Sequence, residues 1–281
     1  MAVIHRAARI RTEILNLPLS DPMALRTAPG LESPTIFELE QRCILPSCWA
    51  YIGTAASLDQ PGDYVAAKVG AEPVVVVRGR EGELRALSNV CTHRASLLAS
   101  GAGNCGRNLV CSYHGWIFGL DGRLLGVPYR TGFTDIDQEA LGLPELRTAV
   151  MGPLVFVNPS CSAEPLADLW PIDPDWSWSQ ATMLTHEVEE VEQPWKVLID
   201  RYLVQEAANT ALVFAAFVCE RRGRQLVLRY WEPIDIARTR VQTIVLECPS
   251  AESDSYGGPR PDPLLAWWEL YAQSLVTATA I

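Results

Sequence analysis

Apolar and polar positions change their rhythm along the chain, and the changes outline its elements. Residues 35–45, TIFELEQRCIL, place Ile36, Leu39 and Cys43 at helical spacing, which predicts a short helix. From Tyr64 the pattern turns to short β-rich runs. DYVAAKV and EPVVVVRG are followed by REGELRALSNV, with a turn at Glu81-Gly82. WIFGLDGRLLGVP holds two apolar segments around Leu120-Asp121-Gly122-Arg123, and Asp-Gly between apolar runs signals a hairpin. LRTAVMGPLVFVNPS reads as two more strands. Residues 48–160 therefore form a small all-β domain. Residues 1–47 are an N-terminal segment whose short helix packs on the C-terminal domain.

Residues 159–179, PSCSAEPLADLWPIDPDWSWS, are rich in Pro and Asp. They mark a linker over 161–184, in which Trp170, Trp176 and Trp178 staple the two domains. Beyond it, THEVEEVEQ alternates like a strand. WKVLIDRYLVQEAANTAL has the period of a helix of about five turns. RQLVLRYWEP and RTRVQTIVLE are strands. A loop, SDSYGGPRPDP, precedes a last helix, LLAWWELYAQSLV. Trp267 and Trp268 are adjacent, so one is expected in the core and the other at an interface. The fold class is α+β: an all-β domain followed by a shortened α+β domain at 185–281.

Composition narrows the function more than the fold. An apolar fraction of 48% and a charged fraction of 20% describe an ordinary globular chain. No apolar run approaches the roughly 20 residues that span a bilayer. MAVIHRAARIRTEIL has scattered arginines and no apolar core, so it does not read as a secretory signal. A cytoplasmic protein without a membrane partner is expected. The net charge of −10 opposes a phosphate backbone, which argues against nucleic acid. With no export signal, the eight cysteines are not read as disulfides. Cys43, Cys48, Cys105, Cys161, Cys219 and Cys248 have no ligand spacing.

The other two cysteines do. CTHRASLLASGAGNCGRNLVCSYHGW opens on Cys91-x-His93 and closes with Cys111-x-x-His114, with 17 residues between the pairs. Thiolate and imidazole suit both zinc and iron. Zinc fingers usually pair Cys with Cys and His with His, whereas each pair here is mixed. Mixed pairs suit a Rieske [2Fe–2S] cluster, in which two cysteines bind one iron and two histidines the other.

The run NVCTHRASLL…LVCSYHGWIFGLDGRLLGVP resembles the Rieske domain of Rieske non-haem iron oxygenase α subunits. The likeness covers roughly residues 35–160 and includes Gly115, Trp116 and the Asp121-Gly122-Arg123 turn. It implies one [2Fe–2S] cluster on Cys91, His93, Cys111 and His114. Ser96 and Tyr113 stand where Rieske proteins of respiratory complexes carry an extra, disulfide-forming cysteine pair, which points to the oxygenase or ferredoxin type.

QPWKVLIDRYLVQEAANTALVF resembles the start of that family's catalytic domain, so the C-terminal domain is expected to be helix-grip-like. The family pattern there is Asn-Trp-Lys…Glu-Asn-Tyr…Asp-x-Tyr-His-x-x-x-x-His. Its histidines, with a later carboxylate, bind a mononuclear iron, and its Asp bridges to a neighbouring cluster. Here Trp195 and Lys196 match, and Asp200 and Tyr202 fall on the Glu and Tyr. Val204 falls on the bridging Asp, Ala207 on the first His and Leu212 on the second. Trp267 and Trp268 resemble the helix before the carboxylate. The four histidines are His5, His93, His114 and His186, and none lies in this helix. The resemblance therefore implies a degenerate, truncated catalytic domain without mononuclear Fe(II), with the iron pocket filled as apolar core. Asp200, Glu206 and Asn209 remain as polar candidates for a metal, with a surface or capping role as the favoured reading.

No catalytic residue is assigned. The expected role is an auxiliary electron-transfer subunit of a trimer-like hetero-oligomer. It would take electrons from an NAD(P)H-dependent reductase or ferredoxin and pass them to a catalytic oxygenase subunit. A self-sufficient oxygenase, hydroxylating an aromatic ring or removing an N- or O-methyl group, is one alternative. A structural or redox-sensing pseudo-oxygenase is the other.

Overall fold

The computed structural model describes residues 12–14, 16–128, 137–160, 165–169, 180–206, 210–214, 216–248 and 262–278. The chain divides into two compact units. One is Tyr51–Ala163; the other combines Met1–Ala50 with Glu164–Ile281.

The first unit is all β. Its strands are β1 (Ala50–Thr54), β2 (Asp63–Val69), β3 (Glu72–Arg78), β4 (Leu84–Ser88), β5 (Ala102–Asn104), β6 (Asn108–Val110), β7 (Ile117–Gly119), β8 (Leu124–Gly126), β9 (Glu145–Met151) and β10 (Leu154–Asn158). Seven form a sheet in the order β1-β10-β9-β4-β3-β2-β5, and β6-β7-β8 form a second, smaller one. The unbroken run Val74–Val77 is explained by burial on both faces of β3, where all four valines are inaccessible. Each such side chain contributes about 1.5–3 kcal/mol. The Asp121-Gly122 turn joins β7 to β8. Gly122 has φ +82°, and a Cβ there would come within 3.0 Å of the Leu143 carbonyl oxygen. That crowding and the positive φ together require glycine. The apolar core of this unit includes Val75, Val77, Leu87, Leu109, Phe118 and Leu124, and it takes in Cys91, Cys111 and Trp116.

The second unit begins with two short helices, α1 (Pro22–Leu25) and α2 (Pro34–Leu39), capped by Asp21 and Ser33. The predicted helix over 35–45 is thus α-helical only to Leu39; it widens into a π turn at Glu40–Ile44. After α3 (Leu166–Leu169) come β11 (Thr182–Val191), α4 (Trp195–Glu206), β12 (Thr210–Phe214), β13 (Phe217–Arg222), β14 (Gln225–Pro233), β15 (Thr239–Glu247) and α5 (Pro263–Ala278). The sheet order is β11-β15-β14-β13-β12, every neighbouring pair antiparallel.

Four expectations change here. The linker is shorter than 161–184, because β11 already begins at Thr182. The helix from Trp195 stops at Glu206, and Thr210–Phe214 is a strand paired with β13. Cross-strand pairing has overridden a sequence that continues with helical period. Trp267 and Trp268 are both buried, at 0% and 2% exposure, so neither faces an interface. Val204 is 52% exposed, so it does not fill a pocket as core. Trp170, Trp176, Trp178, Ala207 and Asn209 lie outside the described residues.

A polar hub ties this unit together. Glu40 is fully buried. Its carboxylate accepts hydrogen bonds from Trp195 Nε1 (2.9 Å), Lys196 Nζ (2.5 Å) and the Tyr271 hydroxyl. Lys196 also donates to the Leu31 carbonyl at 2.9 Å. Asp200 accepts from Trp268 Nε1 at 2.9 Å and pairs with Arg26 at 2.6 Å.

Candidate metal centre

The four predicted ligands come from two loops with the same construction. Residues 91–96 are closed by the bridge Val90↔Leu97, and residues 111–116 by the pair Val110↔Ile117. In each loop the N–H of the leading cysteine donates to the carbonyl five residues on, Cys91 to Ser96 and Cys111 to Trp116, both at 2.8 Å. The fifth residue donates back to the cysteine carbonyl, Ala95 to Cys91 and Gly115 to Cys111, both at 2.9 Å. That fifth residue has a positive φ in both, 54° at Ala95 and 69° at Gly115. The loops differ in where histidine falls, third in the first and fourth in the second.

This backbone aims N–H groups at sulfur. The amides of His93 and Arg94 hydrogen-bond to Cys91, and those of Tyr113 and His114 to Cys111. The two thiols also hydrogen-bond each other. Burial raises both, but at Cys111 the amides, Cys91 and Ser96 outweigh it, and its thiol sits below the ordinary range. Cys91 is pushed up, chiefly by its burial and then by the neighbouring Cys111. Burial and the neighbouring His114 and Arg94 lower the pKa of His93, favouring the neutral, metal-binding imidazole.

The imidazoles face each other edge-on, ring centroids 4.7 Å apart. Nδ1 of each is buried, and that of His114 has no hydrogen-bond partner. A buried ring nitrogen without a partner is costly unless a ligand uses it. Trp116 stacks on His93 at 4.7 Å with a 1° interplanar angle, and Tyr113 lies over His114 at 3.9 Å. Asn89 braces the first loop through paired bonds with Ala99, and Thr92 Oγ1 donates to the Leu141 carbonyl.

The donor set tests which group fits. Among the described residues, no three His, Cys, Asp or Glu side chains converge where one ion could be held. The donors divide into a pair of buried thiols and a pair of imidazoles. A single tetrahedral zinc needs all four about one point. A two-iron cluster needs them as two pairs, and the residues fit that group.

Residues 48–141 match the family model of the Rieske [2Fe-2S] domain. This stretch is a Rieske [2Fe-2S] domain, and the proteins the chain resembles are Rieske oxygenases. It is 34% identical to chloroplastic choline monooxygenase of Beta vulgaris over 199 residues, 66% of this chain and 42% of that one. It is 32% identical to the carnitine monooxygenase oxygenase subunit of Acinetobacter pittii, over 61% of this chain and 48% of that one. The chain thus spans less than half of these curated relatives. Its fold matches the apo form of the quaternary ammonium Rieske monooxygenase CntA with a TM-score of 0.67. That match covers 87% of this chain and 94% of that one at 19% identity.

The structure brings Cys91, His93, Cys111 and His114 of this Rieske domain together. It does not gather the positions aligned with the family's mononuclear site. Val204 is exposed on α4, Leu212 is on β12 and Ala207 lies outside the described residues. Asp200 is engaged by Arg26 and Trp268. His186 is on the exposed edge strand β11, with Nε2 3.0 Å from Gln242 Oε1. The sequence reading noted Trp116 only as a motif match and Tyr113 only as a non-cysteine. Their contacts with the imidazoles were missed, because ring stacking leaves no spacing signal.

Proposed function

We propose that this chain is the electron-transfer component of a hetero-oligomeric Rieske-type oxygenase. It takes electrons from an NAD(P)H-dependent reductase or a ferredoxin and delivers them to the mononuclear iron of a catalytic partner subunit. When bound, a [2Fe–2S] group on Cys91, His93, Cys111 and His114 supplies one-electron transfer. The protein's own part is to hold the two thiols under four backbone amides and to keep the two imidazoles oriented.

One observation carries this reading. The cluster loops are complete, whereas the segment aligned with the second iron offers Val204, Ala207 and Leu212 in place of an acid and two histidines. Those residues do not fit an iron site. With neither histidine of that pattern in the segment, dioxygen activation is assigned to the partner.

A self-sufficient oxygenase is the second reading, favoured by relatives named as choline and carnitine monooxygenases. Iron and acid-labile sulfide per chain, read beside the EPR spectrum of the reduced protein, separate the two. Two irons, two sulfides and no mononuclear ferric signal are expected. A reproducible third iron with coupled oxygen uptake would overturn the proposal.

A further inference from the structure

Four aromatic rings run in sequence through this site: Trp116, His93, His114 and Tyr113. The outer two differ in setting. Trp116 is 3% exposed and packs in the domain core, 6.4 Å from Phe118. Tyr113 is 61% exposed. Trp116 also links the loops. Its carbonyl accepts the Cys111 N–H that closes the second loop, while its indole lies flat on the histidine of the first. Parallel rings with a 1° interplanar angle leave the His93 imidazole one plane in which to sit.

We infer that Trp116 is a positioning residue that sets the plane of the His93 imidazole and biases the bound cluster toward its oxidised form. The indole face is electron-rich, so it stabilises a ring that carries more positive charge. An imidazole bound to iron is more positive when the cluster is oxidised. Burial of the indole, 3% exposed, limits the water that can screen this effect. Tyr113 is tilted 36° from the His114 ring and 61% exposed, so it contributes less.

The inference rests on the cluster being held here, not on which protein receives the electron. The test is an EPR-monitored redox titration of the loaded chain alone, comparing wild type with Trp116→Leu, Trp116→Phe and Tyr113→Leu. Trp116→Leu should raise the reduced-to-oxidised ratio at fixed potential about tenfold, a shift of about 59 mV for one electron. Trp116→Phe, which restores a ring, should fall nearer wild type. Tyr113→Leu should shift the ratio less than Trp116→Leu. Unchanged potential and g-values in Trp116→Leu would overturn the inference, even with reduced cluster content, since that alone marks a merely structural role.

If Trp116→Leu does not load, the apo proteins decide by NMR. The His93 ring protons should lie upfield in wild type and Trp116→Phe, and lose that shift in Trp116→Leu. His93 resonances without a ring-current shift in wild type would also overturn it. A third iron in the metal analysis would sink the electron-component reading while leaving this test intact.

Discussion

Each unit buries polar groups in an apolar core, and the two do it differently. In the second unit Glu40 is completely satisfied: Trp195, Lys196 and Tyr271 donate to it, and Lys196 has the Leu31 carbonyl besides. Nothing is left over for a ligand. In the first unit the thiols of Cys91 and Cys111 collect four amides and hydrogen-bond each other, and His114 Nδ1 is buried with no hydrogen-bond partner. Polar burial that closes on itself marks architecture. Polar burial that leaves a ring nitrogen unmet marks a place for a cofactor, since folding bears the desolvation cost in advance.

The largest break in this comparison is Cys111→Ser. A serine hydroxyl does not ionise as a thiol does, so half of the thiol pair is lost. Iron and sulfide should fall to background, and the visible spectrum of the cluster should vanish. Retention of two irons would mean that the cluster is held elsewhere.

Glu40→Ala attacks the closed network. It strands the Lys196 ammonium, 3% exposed, without its buried partner. Removing one member of such a pair costs about 3–5 kcal/mol. Denaturant unfolding should show that loss while iron per folded chain stays at wild type. A loss below about 1 kcal/mol would mean that the hub is not what holds α4 and α5 to the N-terminal segment.

Glu220 sharpens the contrast through pH. Burial works to raise its carboxyl, but hydrogen bonds from Arg222 and Tyr202 outweigh it, so it sits below the ordinary value of 4.5. The unfolded chain then binds this proton more tightly than the folded one. The stabilisation is complete above about pH 4.5 and drains away as pH falls through the lower folded value. The urea midpoint should drop across that window in wild type and drop less in Glu220→Gln. Parallel curves would remove Glu220 from the account.

The smallest effect compares the two cluster loops. Ala95 holds φ 54° where its counterpart Gly115 holds 69°. A left-handed non-glycine residue costs roughly 1–2 kcal/mol, and glycine returns about 0.4–1 of that through unfolded-chain entropy. Ala95→Gly should therefore stabilise by about 0.5–1 kcal/mol, read as a raised Tm. Gly115→Ala should destabilise, because its Cβ would meet Pro128 Cγ at 3.1 Å as well as the positive φ.

What could be read in the sequence alone was local. Cys91, His93, Cys111 and His114 were legible because each pair sits in a six-residue loop, so spacing alone encodes the geometry. The Asp121-Gly122 hairpin and the Val74–Val77 strand were legible for the same reason: turn chemistry and a fully apolar run act over neighbouring residues. The missing histidines of the α4–β12 segment were likewise plain from residue identity. Only the tertiary structure decided the rest. Thr210–Phe214 leaves its helical rhythm because β13 offers it a ladder. Glu40 finds its donors 155, 156 and 231 residues away. Trp268 turns inward because Asp200 accepts its N–H. Trp116 meets His93 because the first loop and the second close on one another in the core. Long-range packing and polar satisfaction choose between conformations that local propensity leaves nearly equal, and no periodicity along the chain records that choice.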